Sequence, residues 1–268
     1  MTDTMANEHK KLVFFDIDNT IWDIENHIPD STAAAIRALR ENGHLAFLCS
    51  GRCRGYIRAP ALLDLGFDGI VSGCGTLIEY REKTLFYHRI EPALAEWAVR
   101  TVRSYGFRPI LEGREHLYFD ESEFAGDFYG EKLRREIGDR LRSIEGCWGE
   151  WEISKFSCDT RGADREGCFD KLEKDFDLII HNQNVVEVVP KGFDKGDGIR
   201  RLCGMTGHDI ADTVAFGDSV NDLGMFAACG VAVCMGNGVD AAKEASDLVT
   251  APLDEDGIWK GCKTLGLI

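Results

Sequence analysis

Apolar residues recur along this chain with two rhythms, and the rhythm changes twice. Near the N-terminus the runs LVFF (12–15), HLAFLC (44–49) and GIVSG (69–73) are short, unbroken and bounded by polar residues or Gly. Strands of a parallel sheet, covered on both faces, read this way. Helical spacing lies between them. A helix from Thr32 to Arg40, capped by Asp30-Ser31, stops near Asn42-Gly43, and another is expected from Tyr56 to Leu65, ended by Gly66. The same grammar returns near the C-terminus. Helix 195–203 precedes strand TVAFG (213–217), helix 219–228, strand VAVCM (231–235), helix 239–246, a short strand LVT (248–250) and helix 256–264.

The middle of the chain differs. TLIEYREKTLFYHRI (76–90) predicts two strands around a polar turn, and PALAEWAVRTVRSYG carries apolar residues at helical spacing. RPILEG, EHLYF and EWEISKFSCDT are further strands, followed by a helix at 164–174 and a closing pair, DLIIHN with VVEVV. Hairpins mixed with a few helices predict an α+β module around an antiparallel sheet. The expected fold is therefore α/β: a Rossmann-like parallel-sheet core with helices on both faces, formed by 1–82 and 187–268, with an α+β domain inserted at 83–186.

Composition narrows the function. The 268 residues carry 31 Lys+Arg against 46 Asp+Glu, a formal net charge of −15. That field disfavours nucleic acid and anionic membrane surfaces, and leaves an anionic substrate to be drawn in by something local. A bound divalent cation would be such a feature. Ten cysteines are scattered with no C-x-x-C pair or zinc-site spacing, and several lie inside apolar runs. Reduced thiols and a cytoplasmic protein are the expectation. With the polar start MTDTMANEHKK and the brevity of every apolar run, neither a signal peptide nor a membrane span is expected. No obligate protein partner is evident.

Candidate chemistry gathers at strand ends. In FFDIDNTIWD (14–23), Asp16 and Asp18 follow the first strand, two residues apart. They lie at the carboxyl edge of the sheet, where open α/β folds bind ligands. Two close carboxylates are tolerable at neutral pH when a cation lies between them or one stays protonated, and magnesium takes oxygen ligands. A strand that merely ends in a turn would also carry Asp and Asn there. The second cluster, GDSVND (217–222), repeats the arrangement: Asp218 ends a strand, and Asn221 and Asp222 fall in the first turn of a helix. Carboxylates in such a turn can simply answer the helix dipole. A chance match to G-D-x-x-N-D is rarer, on the order of one in 10⁵ per position at average residue usage. Ser50, Gly51 and Arg52 after the second strand offer a hydroxyl, a close backbone N–H and a cation. Lys195 in KGFDKGDG is a candidate to hold a phosphoryl group, with Lys191 as a rival.

The order D-x-D-x-T, S-G-R, K-G and G-D-x-x-N-D, each at a strand or helix end, resembles the haloacid dehalogenase superfamily. The long insertion between the second and third motifs, and the tail MGNGVDAAKEASDLVTAPLDEDGI (235–258), are similar to its Cof-type branch with a C2-type cap. The resemblance implies Asp16 as nucleophile, forming an aspartyl-phosphate, and Asp18 as general acid and then general base. It implies Mg²⁺ held by Asp16, the backbone carbonyl of Asp18 and Asp218, with Asp222 in support. Ser50, Gly51 and Lys195 would hold phosphoryl oxygens, and Asn221 would orient Lys195 or the phosphate. Two positions depart from the branch. Asn19 stands where Gly is commoner, and Cys74 in VSGCG stands where Asn is usual. Asn tolerates similar turns, whereas Cys lacks the paired donor and acceptor of an amide.

The insertion is rich in aromatics, among them Phe107, Tyr118, Phe119, Phe124, Phe128 and Trp151, most of which are expected to form its own core. Arg52, Arg54 and Arg58 lie just past the second motif, where they could reach a second anionic group on the substrate, though Arg54 and Arg58 are expected on solvated surface. The reading that follows is magnesium-dependent hydrolysis of a small phosphorylated metabolite, sugar phosphates foremost. Two others share the motifs: a phosphomutase or phosphotransferase using the same intermediate, and a non-catalytic module sensing magnesium or phosphate. The sensor leaves Asp18 without a task. A Rossmann dehydrogenase is disfavoured because no G-x-G-x-x-G follows the first strand.

Overall fold

The computed structural model describes residues 10–268; the polar stretch at 1–9 lies outside the described residues. The chain divides into two compact units. One comprises residues up to Gly51, Ala59–Phe86 and Asp194–Ile268; the other comprises Arg52–Arg58 and Tyr87–Phe193.

In the first unit the opening half supplies β1 (Leu12–Phe15), β2 (Leu45–Cys49), β3 (Gly69–Ser72), β4 (Leu77–Tyr80) and β5 (Lys83–Tyr87), with α1 (Asp30–Glu41) and the four-residue α2 (Pro60–Leu63). In the second unit α3 (Pro92–Ser104), α4 (Phe128–Ile137) and α5 (Arg165–Leu172) accompany β6 (Arg108–Glu112), β7 (Leu117–Tyr118), β8 (Leu141–Arg142), β9 (Lys155–Asp159), β10 (Phe176–Asn182) and β11 (Val185–Pro190). The chain then returns through α6 (Lys195–Thr206), β12 (Thr213–Gly217), α7 (Leu223–Ala228), β13 (Val231–Cys234), α8 (Asp240–Glu244), β14 (Leu248–Val249) and α9 (Gly257–Thr264).

The first unit's sheet runs β14-β13-β12-β1-β2-β3-β4-β5. From β14 to β3 every pairing is parallel, and β4 joins β3 antiparallel. All residues of β1, β2 and β3 are buried, as unbroken apolar runs require when helices cover both faces. Leu12, Phe14 and Phe47 share a cluster with Ile199 and Leu202 of α6 and Met225 of α7. Phe15 and Phe216 stack at 5.1 Å on the opposite face, where α9 approaches Phe216 at Gly261.

The second sheet runs β10-β11-β9-β6-β7-β8; every pairing from β10 to β7 is antiparallel, and β8 joins β7 parallel. Phe107, Tyr118, Trp151 and Phe156 pack with α3 and α5 on one side. Phe119 and Phe124 pack with Leu133 and Ile137 of α4 in a separate cluster. Phe128, by contrast, is exposed.

Three expectations shift. The hairpin read as straddling a boundary at residue 82 belongs to the first sheet, because β4 and β5 extend its edge beyond β3. The return crossing comes at Asp194 instead of 187, because β11 pairs with β9 and β10 as far as Pro190. The helix expected over Tyr56–Leu65 shrinks to Pro60–Leu63. Residues 52–58 instead join the second unit, where the Gly55 N–H donates to the Gly113 carbonyl at 3.1 Å and Cys53 enters the Phe119 cluster. Pro60 then fixes the helix start, since a residue before proline avoids helical angles.

Candidate active site

Strand register assembles the site. Phe15 pairs with Phe216 on one side and Leu48 on the other. One step further, the Asp16 N–H donates to the Phe216 carbonyl at 2.9 Å. Asp16, Asp218 and Ser50 therefore leave adjacent strands at the same carboxyl edge. Their relative exposures are 4%, 5% and 2%. The segment after Asp16 closes on itself: the Ile17 carbonyl accepts from the Ile21 and Trp22 amides, and the Asn19 N–H donates to the Trp22 carbonyl at 2.8 Å. This turn holds Asn19 at φ 57°, a left-handed angle that Asn tolerates well and that explains a preference for Gly there. Within the turn the Trp22 indole N–H donates to Asp18 Oδ1 at 3.1 Å, and Thr20 Oγ1 donates to Asp218 Oδ1 at 3.3 Å.

Asp222, fully buried, is the hinge of the second cluster. Its Oδ2 accepts the backbone N–H groups of Asp218 and Ser219, each at 2.9 Å, as one half of a capping box with Ser219. The bland expectation for an acidic residue in a first turn is thus met, and the carboxylate does more besides. Its Oδ1 accepts from Lys195 Nζ at 2.6 Å. Gly217 is required by this fold-back: a Cβ there would lie 2.5 Å from Asp222 Cγ.

Lys195 opens α6 behind an Asp194 cap, whose side chain accepts the Asp197 N–H. Its ammonium, 1% exposed, reaches Asp16 Oδ1 at 2.6 Å and Asn221 Oδ1 at 3.2 Å in addition to Asp222. Asn221 is held in turn by the Ser219 hydroxyl at 2.7 Å. The rival Lys191 lies in the second unit, half exposed, 3.4 Å from Asp177. Arg52 also belongs to that unit, with its guanidinium 4.3 Å from the Tyr56 ring centre. Arg54 donates to the Ile57 carbonyl, and Arg58 pairs with Glu115. Cys74 is a buried thiol at φ 54°, and its N–H donates to the Ser50 carbonyl at 3.2 Å.

Two contributors escape sequence reasoning. Asn237 donates from Nδ2 to the Asn19 carbonyl and accepts the Leu253 N–H on Oδ1, each at 2.9 Å, so it ties three loops together. Its signal was the M-G-N-G stretch, which marks the segment without naming its contact. Trp22 carries no signal at all, because the contact with Asp18 arises only when the turn closes.

The electrostatics follow from crowding. One carboxylate oxygen each from Asp16, Asp218 and Asp222 lie within 4.8 Å of one another. Burial, then repulsion from Asp222, pushes the Asp218 carboxyl up to about 7. Burial also raises Asp16 well above the ordinary carboxylate range; Lys195 pulls it down, while Asp222, Asp218 and Asp18 push it up. For Lys195, burial acts to lower the ammonium's pKa, but Asp16 and Asp222 outweigh it and the net shift is upward. Several buried carboxylates thus share one ammonium, an arrangement short of positive charge. An all-oxygen, anionic donor set of this kind fits magnesium and does not suit a softer metal.

Residues 13–261 match the family of haloacid dehalogenase-like hydrolases. The chain is 33% identical over 276 residues to YkrA of Bacillus subtilis (strain 168), whose name assigns it provisionally to the phosphatases; the match covers 96% of this chain and 98% of that protein. It is 26% identical over 288 residues, covering 92% and 95%, to YwtE of the same organism, named as a 5-amino-6-(5-phospho-D-ribitylamino)uracil phosphatase. The fold matches the solved structure of the subclass IIB sugar phosphatase BT4131 with a TM-score of 0.80 at 24% identity, covering 97% of this chain and all of that one. The chain belongs to the haloacid dehalogenase-like hydrolases and is a phosphatase.

Proposed function

We propose that this phosphatase hydrolyses a small phosphorylated metabolite, a sugar phosphate foremost, through an aspartyl-phosphate on Asp16. The observation that carries the reading is the convergence of Asp16, Asp218 and Asp222 with Lys195 on one buried edge. Asp16, Asp218 and the backbone carbonyl of Asp18 are the groups suited to hold magnesium. Asp222 supports them, since both its oxygens are already engaged by Lys195 and by the loop amides. When bound, magnesium supplies positive charge that lets a phosphate dianion approach an anionic nucleophile.

The residues divide the work. A carboxylate oxygen of Asp16 bonds to phosphorus as the phosphorus–oxygen bond to the alcohol breaks. Asp18 gives its proton to the departing oxygen, then takes one from the water that attacks the aspartyl-phosphate. Asp16, returned as a carboxylate, is ready again. Ser50 and Gly51 hold phosphoryl oxygens at the end of β2, and Lys195, steadied by Asn221, offsets the charge of the transferring group. An aspartate at position 18 favours hydrolysis over storage of the intermediate, which sets a hydrolase apart from a phosphate sensor.

Substrate choice is assigned to the inserted unit, acting as a cap, with Arg52 available for a second anionic group. The sugar phosphatase BT4131 and the phosphoribityl compound named for YwtE support a phosphorylated sugar or polyol. All ten cysteines are free, in keeping with a reducing cytoplasm, and among the described residues no helix is long and apolar enough to cross a membrane. The test is phosphate release from an aryl phosphate with and without magnesium. Release should require the metal and should vanish in Asp16→Asn. Turnover unaffected by that substitution would refute the assignment.

A further inference from the structure

The stretch M-G-N-G (235–238) sets a polar residue between two glycines, a pattern that first suggests a tight turn. Asn237 itself keeps a negative φ, so turn tolerance does not account for an asparagine there. The glycines answer to crowding. A Cβ on Gly236 would lie 2.6 Å from the Pro252 nitrogen, and one on Gly238 would lie 2.9 Å from the Asp218 carbonyl oxygen. The segment is thus pressed against the loop at 251–253 on one side and the Asp218 loop on the other. Main-chain bonds hold it there: the Met235 N–H donates to the Gly217 carbonyl at 2.9 Å and the Val239 N–H to the Asp218 carbonyl at 2.8 Å. From that base the Asn237 amide reaches the other acidic loop, donating to the Asn19 carbonyl while it accepts the Leu253 N–H.

We propose that Asn237 is a positioning residue that sets the separation between the Asp16 turn and the Asp218 loop, and with it the affinity of the site for magnesium. Asp16 and Asp18 stand on one loop, Asp218 and Asp222 on the other, and like charges facing each other push the loops apart. Lys195 draws Asp16 and Asp222 together through their carboxylates. The Thr20 hydroxyl also links the loops, yet it does so through Asp218 Oδ1, an oxygen of a carboxylate suited to the cation. Asn237 differs, since Asn19 and Leu253 offer it main-chain groups alone. Its hold therefore persists whatever the carboxylates bind. An amide suits the task, with a donor and an acceptor on one planar group. Magnesium tolerates little distortion of its ligand shell, so ligands from two loops bind it well only when their spacing is set beforehand.

The inference rests on the magnesium ligands proposed above, and the experiment separates the two. Isothermal titration calorimetry reads magnesium binding without substrate, and hydrogen exchange with mass spectrometry reads the peptide spanning 14–23. Asn237→Ala removes both contacts at a position whose backbone accepts alanine. Asn237 is exposed, so each bond competes with water, and the expected loss is that of a single hydrogen bond: magnesium affinity falls about fivefold. The 14–23 peptide should also exchange faster. Asn237→Asp separates the two contacts, because it keeps an acceptor for the Leu253 N–H and turns an oxygen toward the Asn19 carbonyl. It is judged by exchange alone, since its charge itself attracts a cation, and its 14–23 peptide should exchange as fast as in Asn237→Ala. Magnesium affinity unchanged in Asn237→Ala would overturn the inference. So would parent-like exchange in Asn237→Asp, which would assign the residue to holding the loop at 253. Failure of the underlying reading looks different: the parent protein would take up no magnesium, or Asp218→Ala would bind it as tightly as the parent.

Discussion

Asp218 is the residue whose surroundings most directly report on the site. Burial and the nearby Asp222 carboxylate hold its carboxyl at about 7, against an ordinary value of about 4. The folded protein without metal therefore binds a proton here that the unfolded chain has already released. Stability contributed by this group is complete below about pH 4 and is lost as pH rises through about 7. Magnesium competes with that proton and stabilises only the folded state. Melting curves should accordingly show a larger gain from magnesium at pH 8 than at pH 5. An equal gain at both pH values would mean that the cation binds elsewhere. The residue scale was also the best read from sequence. Asp16, Asp18, Asp218 and Asp222 were visible because each follows an apolar run at a countable offset. Trp22 and Asn237 were not, because their contacts with Asp18 and the Asn19 carbonyl depend on how loops close in space.

At the scale of elements, the site depends on how closely α6 approaches α7. A Cβ on Gly196 would lie 2.1 Å from the Gly224 carbonyl oxygen, so no larger residue fits without parting the helices. That approach carries Lys195 into reach of Asp222, which explains the Lys-Gly pairing as a packing requirement beside a chemical one. Gly196→Ala should destabilise the protein by about 1–3 kcal/mol, the usual cost of overpacking, and should lower activity as Lys195 moves. Urea unfolding measures the first and phosphate release the second. A stable, fully active variant would show that the helix contact is looser than described. Sequence rhythm identified most of the strands and missed what depends on distant partners. The helix expected from Tyr56 failed because Cys53 and Gly55 are claimed by the other unit, which periodicity cannot register. The hairpin of β4 and β5 was found, but a pair of alternating strands does not announce which sheet it extends.

Across the whole molecule, the formal charge of −15 would repel a phosphorylated substrate. Lys195 and the cation suited to the Asp16–Asp218 edge are the local answer to that field. The ten cysteines, scattered along the chain, are all free. The fold was legible as two grammars of strand and helix, one interrupting the other, whereas substrate preference was not. On the reading proposed, side chains of the inserted unit choose the substrate by shape in three dimensions, and such a choice leaves no periodic trace. The central claim is chemical: phosphate leaves its substrate by passing through Asp16. The most direct measurement is acid quenching during turnover, with mass spectrometry of the peptide that contains FFDIDNT. One phosphoryl group is expected on Asp16 in the parent protein and none in Asp16→Asn. A phosphoryl group on another residue, or full turnover with Asp16 never modified, would contradict it.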